Sequence, residues 1–270
     1  MRVAVIAPGA MGAGVAQRLA ARGAEVALTL AGRSEASARR AAGLRAFESE
    51  AALAAWADLV LSILPPGEAE ALAARLAPVL VPRGAGVAYA DCNAVAPATV
   101  ARVAALLPGV RFADVGIIGG PPKGDDAGPR FYASGDVACL DTVAAHGIDV
   151  RPLAGGVGAA SALKMAYAGI TKGLTALGAA MALGAARAGA AEVLHAELAA
   201  SQKQLLAWLD RSEPAMFSKA YRWVAEMEEI EAFLGDLPGA SIYGGAARLY
   251  ESLAADEESI KALAEFYKPG

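Results

Sequence analysis

Reactive side chains that hold metals or form cross-links are scarce: two cysteines and two histidines stand among 270 residues. Cys92 and Cys139 form no Cys-x-x-Cys pair, and His146 and His195 lie far apart, so neither a disulfide framework nor a metal site is expected. So few thiols fit a reducing cytoplasm. Positive charge is not in excess either, with Lys+Arg 24 against Asp+Glu 28, mixed along the chain, for a net charge of −4. A nucleic-acid partner, which calls for a basic stripe to neutralise phosphates, is therefore not expected. Long charge-free runs are missing as well. The longest, Val3–Gln17, holds Pro8, Gly9, Gly12 and Gly14. A spanning helix needs roughly 18 apolar residues, so no membrane span is expected, and the run makes a poor secretory core.

What is abundant is small and apolar. Hydrophobic residues make up 56% and charged residues 19%, which excludes a disordered chain, and the length suits one or two domains. Mean hydropathy is +0.40, a consequence of Ala- and Gly-rich segments that let elements pack closely. Short apolar runs at Val3–Ile6, Glu25–Leu30, Leu59–Leu64, Val87–Ala90, Val110–Val115 and Ile148–Leu153 read as strands. Helical patterns fall between them at Gly9–Arg22, Gly67–Leu80 and Pro97–Leu107. The alternation predicts an α/β fold, a doubly wound parallel sheet of Rossmann type. From Gly158 onward the sequence is helical, with one proline-free helix over Ala159–Arg187 and others over Ala190–Asp210, Pro214–Leu234, Gly239–Ala254 and Glu257–Phe266. The expected division is a cofactor-binding domain over residues 1–153 and an all-helical domain over 154–270, joined by the long helix.

The first strand is followed by Ala7-Pro8-Gly9-Ala10-Met11-Gly12, one glycine short of the dinucleotide fingerprint. Gly9 lets a pyrophosphate approach the backbone and Gly12 permits close helix–strand packing, while the helix N-terminus faces the phosphates. Gly9, Ala10, Met11 and Gly12 are thus candidate cofactor residues, together with Leu64 and Pro65 at the end of a later strand. An acid that would take a ribose 2′-hydroxyl is missing from Leu28–Ser34. Arg33 and Ser34 stand there instead, an arrangement suited to a 2′-phosphate, so the expected cofactor is NADP(H).

These features come in a familiar order. The glycine turn, Leu64-Pro65, Asp91-Cys92-Asn93, Gly119-Gly120 and Gly158-Ala-Ala-Ser-Ala-Leu-Lys164 resemble the β-hydroxyacid dehydrogenase and 6-phosphogluconate dehydrogenase superfamily. The later segment Lys219-Ala-Tyr-Arg-Trp-Val-Ala-Glu-Met-Glu-Glu-Ile230 resembles a less characterised branch of it with its own helical C-terminal domain. The resemblance implies that Lys164 is the general acid/base for hydride transfer to or from a small hydroxy acid or its oxo form. An apolar setting agrees, since burial disfavours an ammonium and so suits lysine to proton transfer. It further implies substrate contacts from Asn93, Ile118, Gly119 and Gly120, with Asn93 also near the nicotinamide.

The chain also departs from its relatives. Ile118 stands where many have serine before the double glycine, and Tyr167 where they have asparagine three residues after the lysine. Lys164, Tyr167 and Thr171 share a helical face, so Tyr167 is read either as a replacement donor or as a core residue. These changes leave an imine reductase-like activity, or a non-catalytic NADP-binding sensor, as alternatives. The long helix and amphipathic segments after it predict a homodimer through the C-terminal helices, in which Tyr243 or Arg222 reaches the substrate.

Overall fold

The computed structural model describes residues 1–124 and 126–267. The chain forms two compact units, Met1–Met165 and Ala166–Gly270, so the division falls inside the long helix rather than before it at residue 153.

The first unit runs β1 (Arg2–Ile6), α1 (Ala10–Ala21), β2 (Glu25–Thr29), α2 (Glu35–Arg40), β3 (Arg45–Phe47), α3 (Glu50–Trp56), β4 (Leu59–Ser62), α4 (Ala69–Leu80), β5 (Ala88–Asp91), α5 (Pro97–Ala105), β6 (Arg111–Ile118), β7 (Arg130–Gly135), α6 (Asp141–Ala145), β8 (Asp149–Pro152) and the head of α7 (Ala159–Arg187). The eight strands form one sheet in the order β3-β2-β1-β4-β5-β6-β7-β8. All neighbours pair in parallel except β6 and β7, which are antiparallel. Each face carries its own core, which is why the strands read as continuous apolar runs. Val3 and Val5 of β1 pack with Val15 and Leu19 of α1, Leu59, Leu61 and Phe131. Ala4 and Ile6 point the other way, with Leu53, Leu72, Leu76 and Val100. Strand order reverses between β2-β1 and β4-β5, and ligands of open α/β sheets lie at such a switch, beyond the carboxyl ends of the strands.

The second unit holds the rest of α7, then α8 (Ala191–Ser201), α9 (Lys203–Phe217), α10 (Ala220–Leu234), α11 (Ser241–Ala255) and α12 (Glu257–Phe266). Two helix boundaries differ from the sequence reading. The stretch expected as one helix over 190–210 breaks at Gln202, which leaves helical geometry (φ −133, ψ 46). Pro214 lies inside α9 rather than opening the next helix, which starts at Ala220. An interior proline costs about 3 kcal/mol. Burial of Leu206, Leu209 and Met216 on the same helix, at about 1.5–3 kcal/mol each, outweighs it.

By length and composition alone α7 is long and apolar enough to cross a membrane. Its charge-free stretches are short because Lys164 and Lys172 interrupt the sequence. Both lysines have protein partners, Lys164 at the carbonyl of Ile117 and Lys172 at the carboxylate of Glu226.

Candidate active site

At the switch point, Gly9 caps α1 in extended geometry, and an added Cβ there would meet nothing within 4 Å. That leaves the backbone approachable at Gly9 and Ala10, both exposed. Gly12 plays the opposite part: a Cβ on it would collide with the carbonyl oxygen of Ala7, so glycine is what lets α1 lie against β1. Among the described residues no non-glycine has positive φ, so Ala7 fills the place of the missing glycine without left-handed backbone. Ala10 is exposed and Met11 half-buried in the same turn.

The ends of β4 and β5 are tied by one amide. Asn93, 3% exposed, accepts from the Leu64 N–H through Oδ1 (2.6 Å) and donates through Nδ2 to Ser62 Oγ (2.9 Å) and Asp91 Oδ2 (3.0 Å). Its side chain therefore holds the Leu64-Pro65 edge in place, and both N–H groups are spent within the protein. Pro65 itself is exposed.

Beyond β2, Ser34 is committed to α2, where its hydroxyl caps the Ser37 N–H (3.3 Å). Arg33 is half-buried, and its Nε is buried without a hydrogen-bond acceptor among the described residues. An orphaned guanidinium N–H at this place is the feature that fits a 2′-phosphate, because an anionic oxygen would satisfy it. Glu50, the first residue of α3, lies 3.5 Å from Arg33 Nη2. Sequence reading missed it because the search for an acid stopped at the end of β2, whereas β3 returns alongside β2 and sets the next helix beside Arg33.

At β6 the strand and the head of α7 are welded by a buried carboxylate. Asp114, 1% exposed, accepts from Gly158 N (2.9 Å), Ser161 N (3.0 Å) and Ser161 Oγ (2.7 Å), and from Ser134 Oγ (3.2 Å). Ser134 Oγ in turn accepts from Ala160 N (3.1 Å). These bonds satisfy N–H groups that a helix start leaves open, with negative charge at its positive end. Gly116 permits the close approach, since a Cβ there would stand 2.7 Å from the Ala160 carbonyl oxygen and 3.1 Å from Lys164 Cβ. The result fixes Lys164, whose Nζ donates to the Ile117 carbonyl (2.9 Å) at the carboxyl end of β6. Asp114, Gly116 and Ser134 were not singled out from sequence; the only trace was Ser161 three residues after Gly158.

Ile118 ends β6 as a buried apolar side chain, 5% exposed, where a hydroxyl had been the family expectation. Gly119 then takes φ +123 and passes Pro129, whose Cα would lie 3.0 Å from an added Cβ, while Gly120 is open. The loop beyond is pinned to α1 by Arg18, which donates to the carbonyls of Gly124 and Asp126 (2.8 Å each) and to Asp126 Oδ1 (2.6 Å).

The remaining candidates belong to the helical unit. Tyr167 is 46% exposed, so the core reading does not apply to it within that unit. The Thr171 hydroxyl is spent on the Tyr167 carbonyl (2.9 Å). Tyr243 packs on the small-residue face of α7, its hydroxyl 3.1 Å from where a Gly169 Cβ would stand. Arg222 is exposed, whereas Glu226 pairs with Lys172. Among the described residues no group of three or more His, Cys, Asp or Glu could hold a metal ion. Burial pushes the Cys92 thiol well up and that of Cys139 to about 12, so neither offers a thiolate near neutral pH.

Residues 2–146 match the family described as the NAD binding domain of 6-phosphogluconate dehydrogenase, and residues 185–253 match a domain of unknown function. No curated protein sequence matches. Among solved structures, the conserved protein MTH1747, described as of unknown function and structurally similar to 3-hydroxyacid dehydrogenases, is 27% identical, with 96% of this chain and 99% of that one covered and a TM-score of 0.69. Mycobacterium tuberculosis 3-hydroxyisobutyrate dehydrogenase, with L-serine, is 19% identical over 98% of each chain, TM-score 0.71. A Streptomyces aurantiacus imine reductase is 19% identical over 100% of each, TM-score 0.55. The last two likenesses are of fold.

Proposed function

The chain belongs to the family of the NAD binding domain of 6-phosphogluconate dehydrogenase, and from that premise we propose that it is an NADP(H)-dependent oxidoreductase acting on a small hydroxy acid or its oxo form. The observation that carries this reading is the Lys164 ammonium, held at the carboxyl end of β6 by the Ile117 carbonyl on the sheet edge where the dinucleotide turn also lies. A nicotinamide cofactor held at the Gly9–Gly12 turn would supply or accept the hydride. Lys164 moves the accompanying proton, giving it to the substrate oxygen in reduction and taking it back in oxidation. The Ile117 carbonyl orients the ammonium, and Asp114 keeps the whole helix head in register. Gly9 and the α1 N-terminus receive the phosphates, with the Leu64-Pro65 edge flanking them.

The choice of NADP(H) rests on Arg33. Replacing it by alanine removes a charge-assisted contact worth about 1.5–3 kcal/mol, roughly ten- to hundred-fold in affinity. Titration of both reduced cofactors by nicotinamide fluorescence is expected to show NADPH weakened by that factor and NADH little changed. Equal affinity of the wild type for NADPH and NADH would contradict the reading.

A second reading, reduction of imines, is favoured by buried Ile118 in place of a hydroxyl. NADPH oxidation with ketone alone against ketone plus amine separates the two.

Two copies are proposed to associate through α7 and the helices after it. Tyr167, Ile170, Leu177 and Met181 are all exposed at helical spacing, an apolar stripe that water alone would cover at a cost. Light scattering is expected to give twice the chain mass of 27.2 kDa; the mass of a single chain at micromolar concentration would contradict association.

A further inference from the structure

We propose that Glu50 competes with the cofactor's 2′-phosphate for Arg33 and so sets how strongly the protein prefers NADP(H) to NAD(H), an inference that rests on the reading of Arg33 given above. Three charges stand in a row at the end of β2. Glu50 makes two hydrogen bonds to Arg75 of α4, from Nε at 2.9 Å and Nη2 at 3.3 Å. Its contact with Arg33 is an ion pair at 3.5 Å, too long for a strong hydrogen bond. The carboxylate is thus held by Arg75 and only leans on Arg33, whose buried Nε is left without an acceptor. A phosphate monoester carries about −1.5 to −2 charges at neutral pH. At Arg33 it would meet the guanidinium with the Glu50 carboxylate opposing it, and behind Glu50 stands Arg75, itself in the field of Glu68. All three side chains keep some solvent contact, at 29% for Arg33, 22% for Glu50 and 48% for Arg75, so the opposition is screened but not abolished.

The direction follows from what glutamine would change. Glu50→Gln keeps an oxygen that can accept from Arg75 and Arg33, so the guanidinium stays in place. It removes the negative charge, and the local sum rises by one positive charge. Attraction for a dianion increases, whereas the 2′-hydroxyl of NADH, being neutral, gains nothing there. At the separation and partial exposure involved, the gain is about three- to ten-fold in NADPH affinity at low ionic strength.

The test is a set of NADPH and NADH titrations on the full chain and its Glu50→Gln, Arg33→Ala and doubly substituted forms, with Glu70→Gln, on an exposed pair with Arg102, as a control for charge alone. The expected result is NADPH binding tightened by Glu50→Gln, an effect that shrinks at about 0.5 M salt, NADH binding unmoved, no change with Glu70→Gln, and loss of the effect in the Arg33→Ala background. Weaker or unchanged NADPH binding in Glu50→Gln would overturn the proposal. So would equal tightening without Arg33, which would mark a general field effect, or weakened NADH binding, which would place Glu50 on the ribose hydroxyl. If Arg33→Ala itself leaves NADPH binding unchanged, the reading of Arg33 falls and this inference with it. If Arg33→Ala weakens NADPH but Glu50→Gln does nothing, only the inference falls.

Discussion

Lys164→Ala is expected to lower turnover by ~10²–10⁴-fold, the contribution of a positioned general acid/base, while NADPH binding stays near wild type. Binding is expected to survive because the residues proposed to receive the cofactor lie elsewhere, Gly9–Gly12 at the start of α1 and Arg33 after β2, and none takes part in the lysine's hydrogen bond to Ile117. Lys164→Arg retains the charge but holds its proton too tightly to exchange it near neutral pH, so it is expected to be nearly as slow. The loss should fall on turnover rather than on cofactor affinity, which stopped-flow reduction or oxidation of the bound nicotinamide separates. Full turnover in Lys164→Ala would assign this lysine to packing.

Lys164 was singled out by the family resemblance of the Gly158–Lys164 segment, with its place in an otherwise apolar helix in agreement. What holds it was not. Asp114 reaches Gly158 and Ser161 only because β6 and α7 pack side by side, a pairing that no local pattern encodes. The same holds for Glu50, brought to Arg33 by the return of β3. The central strands were readable from continuous apolar runs, since they are buried on both faces. β3 and β7 were missed for a different reason. β3 has three residues, mostly exposed, and β7, in an alternating pattern, follows a loop rich in glycine and proline. At Pro214 the local rule pointed to a helix start, and tertiary burial of α9 outweighed it.

The largest expected effect on stability lies in the helical unit, at Glu213. This side chain is fully buried, and both its carboxylate oxygens lack a hydrogen-bond partner among the described residues. Glycine at position 178 makes room for it: a Cβ there would stand 2.9 Å from Glu213 Oε1 and 3.1 Å from the Tyr267 hydroxyl. Burial pushes the carboxyl up from 4.5 to about 8. Burial raises the Tyr250 and Tyr267 phenols, with the Glu213 carboxylate adding to both and Asp210 to Tyr267. The folded chain therefore keeps a proton that the unfolded chain releases near 4.5. Between these values the folded state binds more protons, so the stabilisation is fully present below about pH 4.5 and is lost as pH rises through about 8. A shift of this size corresponds to on the order of 5 kcal/mol, a large part of a typical domain's stability. Glu213→Gln removes the titration while keeping the shape. Urea unfolding at a series of pH values is expected to show the variant close to wild type near pH 5 and more stable by on the order of 2–4 kcal/mol at pH 9. A wild-type stability that does not fall between pH 5 and 9, or a variant no more stable at pH 9, would show that the carboxyl is charged and partnered.

Steady-state NADPH oxidation, followed by nicotinamide absorbance, against a panel of small oxo acids, ketones and ketone–amine mixtures bears on the assignment as an enzyme. The expected result is turnover with at least one oxo acid, or with its hydroxy acid and NADP+ in reverse, dependent on Lys164 and preferring the phosphorylated cofactor to NAD(H). Tight NADPH binding without oxidation by any member of the panel would instead mark a chain that holds the cofactor and performs no hydride transfer on these compounds.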